Sequence, residues 1–356
     1  MKTTDIVRTL YTVSDFVSWQ KNRTLILSPS FQRRLVWKSG AKSYLVDTIL
    51  RGLPIPIIFL RDQKTDLKTL RAKREVVDGQ QRIRTVLSYV CPQELDNFDE
   101  DKEGFKIKRV HNKELSGKGF SDLPTDLQQR ILDYQFSVHV LPSSVDDREV
   151  LQLFARMNAT GVKLNDQELR NANYFGEFKT LSYDLSAEHL DHWRRWAIFT
   201  EYNLARMEEV ELTSEFFMMM VNGITGKTQT AINKAYEEYD DELKTRDELE
   251  KRFRYIMSVL DEKLGQSLNV SPFQKKTLFY SLFAAVYHLT YEIGSSLNLK
   301  LKPSQVTNDH ISRIRRCGEK IEEGTAPQNI IDATSLRTTH PSSRKALVGF
   351  LTGSKF

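Results

Sequence analysis

Two stretches of the 356-residue chain combine residue types able to hold a charged ligand. The first is Glu75-Val76-Val77-Asp78-Gly79-Gln80-Gln81-Arg82. A β-branched run ends in an acid and a glycine. Ile83, Val86, Leu87 and Val90 then recur at i, i+3, i+4 and i+7, the apolar stripe of a helix that starts near Gln80. A strand, a glycine turn and a helix start leave unpaired N–H groups and a positive dipole end facing the turn. Such a place attracts anions, and Arg82 and Arg84 add guanidinium donors for phosphate oxygens. The competing reading makes Asp78-Gly79 a hairpin turn between two strands. The adjacent Val86 and Leu87 fit a helix better than the period of two a hairpin requires.

The second stretch is Phe154-Ala155-Arg156-Met157-Asn158-Ala159-Thr160-Gly161, a helix end followed by a polar turn. Arg156 and Asn158 can reach a ligand and Gly161 allows a left-handed backbone, although a plain glycine-stopped helix has the same residues. Upstream, Phe31-Gln32-Arg33-Arg34-Leu35-Val36-Trp37 sets two arginines among aromatic residues. They read either as a surface edge with stacked guanidinium groups or as phosphate ligands on a stiff loop.

Other chemistries find little support. His189 and His192 stand at i and i+3, but no third ligand accompanies them and Trp193 and Trp196 point to packing. His340 sits in an isolated turn. Walker-type phosphate loop, Rossmann glycine fingerprint and nucleophile elbow are all missing from the sequence. Cys91 and Cys317 are too few for a disulfide framework or a cysteine zinc site, and both are expected reduced and buried, as suits a cytoplasmic protein. The balance of 52 Lys+Arg against 47 Asp+Glu is mildly basic, compatible with nucleic acid but no basic tail. The N-terminus lacks a signal-type apolar core, and the apolar stretch Leu278–Leu289 is short for a bilayer span, so no membrane segment is expected.

The elements that must position these residues follow from pattern. Helices are expected at Val13–Trp19 and Ser39–Leu50, the latter closed by Gly52, with strands at Thr24–Leu27, Ile55–Leu60 and Glu75–Val77. Ile55–Leu60 is almost wholly apolar, as in a strand covered on both faces. Residues 92–128 read as an elaboration of the sheet, followed by a helix at Leu127–Leu132 and a strand through Phe136, Val138 and Val140. A helix carrying Val150, Leu151, Phe154 and Met157 precedes the Asn158–Gly161 turn, and another starts at Asn165 with Glu168 at the capping-box position. Its early Asp166 and Glu168 would repel phosphate, which argues against a groove-reading helix–turn–helix. From Phe178 onward the patterns are helical: Ser214–Val221, a long charged segment Ile232–Leu264, Phe273–Ile293 and Val306–Ile321. The expected division is therefore residues 1–178 and a helical domain at 179–356.

Taken in order, Phe31-Gln32-Arg33-Arg34 with Trp37, Gly52-Leu53-Pro54-Ile55-Pro56, Asp78-Gly79-Gln80-Gln81-Arg82 and Arg156–Gly161 through Glu168 resemble one family. It is the N-terminal DGQQR domain of GmrSD-type modification-dependent restriction proteins, within the ParB/sulfiredoxin-like superfamily. The resemblance covers roughly residues 10–180. It implies an α+β fold: a small mixed sheet with helices in the N-terminal half, followed here by an all-α domain. It also implies an NTP site with Mg²⁺ that gates action on DNA. Asp78, Gln81 and Arg82 would be catalytic. Arg33, Arg34, Gly79, Gln80, Arg82 and Asn158 would bind the nucleotide, and Asp78 would meet the metal. The His-Asn-His nuclease usual in full-length members is missing from the sequence after residue 180, so a separate nuclease or effector chain is expected. A homo-oligomer stays open.

The leading expectation is an NTP-binding and NTP-hydrolysing component of a DNA-modification-sensing restriction or phage-defence system. Its helical half would contact DNA or an effector, with Arg313/Arg315/Arg316 and Arg344/Lys345 as the basic clusters. The alternative is a non-enzymatic DNA-binding reader or regulatory subunit. A third reading, a metal-dependent DNA nickase using Asp78, lacks a second carboxylate for a two-metal site.

Overall fold

A computed structural model describes all residues except 1–5, 28–36, 66, 68–69, 151–152 and 154–163. Arg33, Arg34, Arg156, Asn158 and the Asn158–Gly161 turn fall outside, and the helix expected to precede that turn is described only at 147–150 and Leu153. The chain forms two compact units, Met1–Lys163 and Leu164–Phe356. The division comes earlier than the expected 178/179 because helix Asp166–Asn173 belongs to the second unit. There its Gln167 donates to the Tyr236 hydroxyl at 2.9 Å, and Arg170 donates to Gln229 and Asn233 at 2.7 and 3.0 Å.

In the first unit the elements are β1 (Val7–Thr12), α1 (Val13–Lys21), β2 (Leu25–Ile26), α2 (Ser39–Leu50), β3 (Ile58–Asp62), β4 (Arg74–Asp78), α3 (Gln80–Val90), the single turn α4 (Glu100–Glu103), α5 (Thr125–Asp133) and β5 (Gln135–Leu141). The sheet order is β1-β5-β3-β4-β2, with β1/β5 and β3/β4 antiparallel and β3/β5 and β2/β4 parallel. The third strand begins three residues later than its apolar run, because Pro54 and Pro56 cannot donate to a ladder. Ile58, Phe59 and Leu60 are nonetheless buried, as expected of a strand covered on both faces. One face carries the main core, with Val13, Phe16, Leu45, Ile49, Ile83, Val86, Leu87 and Phe136. Phe59, Val77, Leu141, Val145 and Val150 form a smaller cluster.

The described regular structure of the second unit is helical: α6 (Asp166–Asn173), α7 (Glu177–Glu188), α8 (Leu190–Arg195), α9 (Glu201–Ala205), α10 (Glu208–Asn222), α11 (Gln229–Glu238), α12 (Arg246–Leu264), α13 (Lys276–Tyr291), α14 (Asn308–Glu322), α15 (Gln328–Ser335) and α16 (Pro341–Thr352). The capping box at the start of α6 forms as its sequence predicts: Asn165 Oδ1 accepts from Glu168 N–H at 2.8 Å, and Glu168 Oε2 accepts from Asn165 N–H at 2.7 Å. The single helix expected over Ile232–Leu264 is instead two, α11 and α12. Between them, Asp240 accepts from the N–H groups of Phe175 and Gly176 at 3.1 and 2.8 Å, and Leu243 N–H donates to Glu177 at 2.8 Å. These contacts, distant in sequence, win over helical continuation. His340 is no isolated turn residue but the N-cap of α16, accepting from Ser342 N–H through Nδ1 at 3.4 Å. His189 packs edge-on against Phe253, as its aromatic surroundings suggest. Both cysteines are buried and free. No described helix is long and apolar enough to cross a membrane.

Two consequences are measurable. A Cβ at Gly176 would lie 1.6 Å from the Asp240 carbonyl oxygen, so Gly176→Ala forces the backbone apart. It should cost the helical unit about 2–3 kcal/mol, read as a lower Tm by calorimetry. Burial of Glu209 pushes its carboxyl from the ordinary 4.5 up to about 7, with Glu208 adding repulsion. The folded state then holds the proton more tightly than the unfolded state, so its contribution is complete below pH 4.5 and lost as pH rises through 7. Denaturant titrations should show stability falling by about 3 kcal/mol across that window, and Glu209→Gln should flatten the slope.

Candidate phosphate site at the Asp78–Arg82 turn

The junction between β4 and α3 is built by three local features. Register passes from Leu60 opposite Val76 to Phe59 opposite Asp78, so β4 carries one extra residue, Val77, just before it ends. Such a bulge bends a strand and redirects the chain beyond it. Gly79 then takes φ 97° and ψ 12°, a left-handed conformation that glycine adopts without a Cβ penalty. Finally, the Cδ1 of Ile58 lies 2.3 Å from where a Cβ would stand on Gly79, so the backbone there sits directly on the sheet. The helical reading of residues after Gly79 therefore prevails over the hairpin, and α3 starts at Gln80.

The helix ladder opens with Ile83 N–H donating to the Gly79 carbonyl at 2.9 Å. The N–H groups of Gln80, Gln81 and Arg82 precede it, and no side chain caps them. Three amides thus stand without a side-chain cap at the positive end of an eleven-residue helix.

Arg82 is placed differently from a phosphate ligand that reaches outward. Its Nη2 donates to Asp78 Oδ2 at 2.7 Å, and Nη1 donates to the carbonyls of Pro56 and, at 3.4 Å, Ile57. The guanidinium thus ties the Leu53–Ile57 run to the turn. Burial draws its pKa below the ordinary arginine value, with Asp78 opposing that shift. Asp78 remains about half exposed. Gln80 turns its amide towards the Val76 carbonyl at 3.4 Å.

Arg84, expected beside the phosphate, points elsewhere. It makes a two-pronged pair with Glu103 at 2.6 and 2.7 Å. Gln81 and Arg84 instead border a cavity of about 310 Å³ beside α3, which Trp37, the last residue of the first arginine motif, also lines. Sequence reading missed Lys42 here. Its ammonium is buried and donates to the carbonyls of Lys102 and Glu103 at 3.0 and 3.1 Å. Burial lowers its pKa, Glu103 opposes the change, and Arg84 adds to it. The available signal was a lysine three residues before Leu45 on an otherwise buried helix.

Three helix-end amides suit phosphate. Asp78 can supply one of the one or two carboxylates a phosphate-bound Mg²⁺ uses, and no group of three or more metal-ligating side chains occurs among the described residues. In the helical unit the expected basic cluster at Arg344/Lys345 is corrected. Arg344 is buried, bonds to Glu215 and lies 3.7 Å over the Tyr280 ring, leaving only Lys345 exposed. Arg313, Arg315 and Arg316 on α14 are exposed.

Residues 13–175 match the family described as GmrSD restriction endonuclease, N-terminal domain. The match contains the turn, the cavity and the whole described sheet except β1, and the mixed sheet with its helices is consistent with a ParB-like N-terminal domain. No curated protein matches the chain.

Replacing Gly79 by alanine should cost the first unit about 1–2 kcal/mol from backbone strain, since Ile58 Cδ1 can swing aside but φ cannot. A fall of about 2–8 °C in the corresponding calorimetric transition is expected.

Proposed function

We propose that the N-terminal unit binds a nucleoside triphosphate at the Gly79–Arg82 turn and hydrolyses it as a component of a DNA-modification-sensing restriction system. The family match over residues 13–175 supports involvement in restriction. The observation that carries the nucleotide reading is the uncapped start of α3, three N–H groups presented by a left-handed glycine on the end of a strand. In this reading Gln80, Gln81 and Arg82 hold phosphate through their backbone amides. Gly79 lets the phosphate approach closely. Bound Mg²⁺ would offset phosphate charge, with Asp78 as its protein ligand or as the group that orients water. Arg82 acts as a positioning residue, holding Asp78 through the 2.7 Å pair. Arg33, Arg34 and Asn158 remain assigned by the family resemblance. A separate nuclease or effector would carry out cleavage. The exposed Arg313, Arg315 and Arg316 make α14 the helical unit's candidate surface for DNA.

The test is phosphate release from ATP, GTP, CTP and UTP, with and without Mg²⁺ and with modified and unmodified DNA. Wild-type protein should turn over at least one nucleotide in a Mg²⁺-dependent way, and Asp78→Ala should reduce the rate by two orders of magnitude or more. Wild-type protein inert under every condition overturns the proposal. Strongly salt-dependent DNA binding indifferent to nucleotide would favour the non-enzymatic reader instead.

A further inference from the structure

The connection from β3 to β4 carries charge and apolar surface that the turn at the far end of β4 does not use. Between Gln63 and Lys73 the sequence holds Lys64, Lys68, Arg71 and Lys73 against Asp66 alone. Of these, Lys64, Arg71 and Lys73 are described and exposed. On the same connection, Leu67 and Leu70 are 86% and 78% exposed, more than any other large apolar side chain among the described residues. Leu70 is held at φ 53°, a left-handed conformation that leucine rarely adopts. A single exposed leucine is ordinary on a protein surface. Two of them among cations, one on a strained backbone, are not accounted for by packing within the unit.

The base of the connection is fixed. Gln63 N–H donates to the Lys73 carbonyl at 2.8 Å, and the Gln63 side chain donates to Glu75 at 2.7 Å. Arg74 N–H donates to the Thr24 carbonyl at 2.8 Å, and its guanidinium lies 4.4 Å from the centre of the Trp19 ring. Arg71 adds a long contact through Nη1 to the Asn22 carbonyl at 3.5 Å, which leaves its other donors outward. The ammonium groups of Lys64 and Lys73 meet no carboxylate among the described residues.

Unpaired cations beside apolar side chains, on a braced two-stranded stem, suit a polyanion that also offers apolar edges. Duplex DNA has both, and its major groove is wide enough for a two-stranded ribbon. An anionic lipid surface offers similar chemistry, but two leucines are little apolar area to hold a membrane. The match of residues 13–175 to a restriction family also favours DNA.

We propose that the β3–β4 connection is a DNA-binding arm of the first unit. Lys64, Arg71 and Lys73 take backbone phosphates, and Leu67 and Leu70 lie against the bases. The proposal goes beyond the nucleotide reading and does not rest on it. Arm and turn stand at opposite ends of β4, about 13 Å apart along the strand, so DNA and nucleotide use separate groups.

The experiment titrates a fluorescently labelled DNA duplex with the full chain and follows anisotropy over a range of salt concentrations. Lys64→Ala/Arg71→Ala/Lys73→Ala should weaken binding about 30-fold and reduce the slope of log affinity against log salt by about 2–3, as expected for three phosphates. Leu67→Ser/Leu70→Ser should weaken binding about ten-fold with the slope unchanged, since it removes base contacts and no charge. Equal unfolding midpoints check that both variants fold. Unchanged affinity in either variant overturns the arm. Wild-type protein that fails to bind the duplex also overturns it, whether or not it binds vesicles of anionic phospholipid. None of these outcomes touches the nucleotide reading, which phosphate release tests separately.

Discussion

Within the N-terminal unit, much depends on β4 turning into α3 through a single residue. The chain leaves an antiparallel ladder whose register has just skipped Val77, passes through one left-handed glycine, and is helical by Gln80. An ordinary side chain at Gly79 would meet both an unfavourable backbone conformation and the methyl end of Ile58. That junction sets the direction of α3, presents its first amides just past the end of β4, and turns Gln81, Arg84, Thr85 and Ser88 towards the cavity beside α4. Moving the turn by one residue would rotate the helix by about 100° and send Arg84 away from Glu103.

Around this junction the arginines work mostly inward. Arg61 bridges β3 to β4 through Glu75 at 2.5 Å and also meets Asp147 at 2.7 Å. Arg82 closes the turn on Asp78 and two carbonyls, and Arg84 seats α4. The helical unit repeats the pattern with Arg170, Arg252 and Arg344, each buried and bonded to a glutamate. Buried pairs of this kind contribute little net stability compared with apolar packing, yet breaking one partner leaves an uncompensated charge. They are better understood as fasteners of geometry. A formal charge of +5 therefore overstates the cationic surface, since several of the counted arginines are buried against carboxylates.

Local order was legible wherever a single element decides its own outcome. The strand–glycine–helix junction, the Asn165 capping box, the covered strand before Asp62 and the α+β character all follow from periodicity, glycine and capping chemistry. The motif order from Phe31 to Glu168 was likewise enough to point to the family that matches residues 13–175. These features depend on neighbours within a few positions, and such information is contained in a short stretch of chain.

Tertiary structure decided what distant residues do to one another. Residues 239–245 leave the helix because Asp240 and Leu243 bond to Phe175, Gly176 and Glu177, more than sixty positions away. Arg82 and Arg84, indistinguishable as phosphate donors in the sequence, diverge because Asp78 and the Pro56 carbonyl lie within reach of one and Glu103 within reach of the other. Lys42 gained its role only when α2 met the carbonyls at the end of α4. The Asp78–Arg82 turn was thus determined by sequence as a place where amides converge, because helix starts and glycine conformations are local. The companions that those amides have, and the cavity beside them, were settled by packing, because a side chain's partner depends on which distant segment the fold brings within about 3 Å.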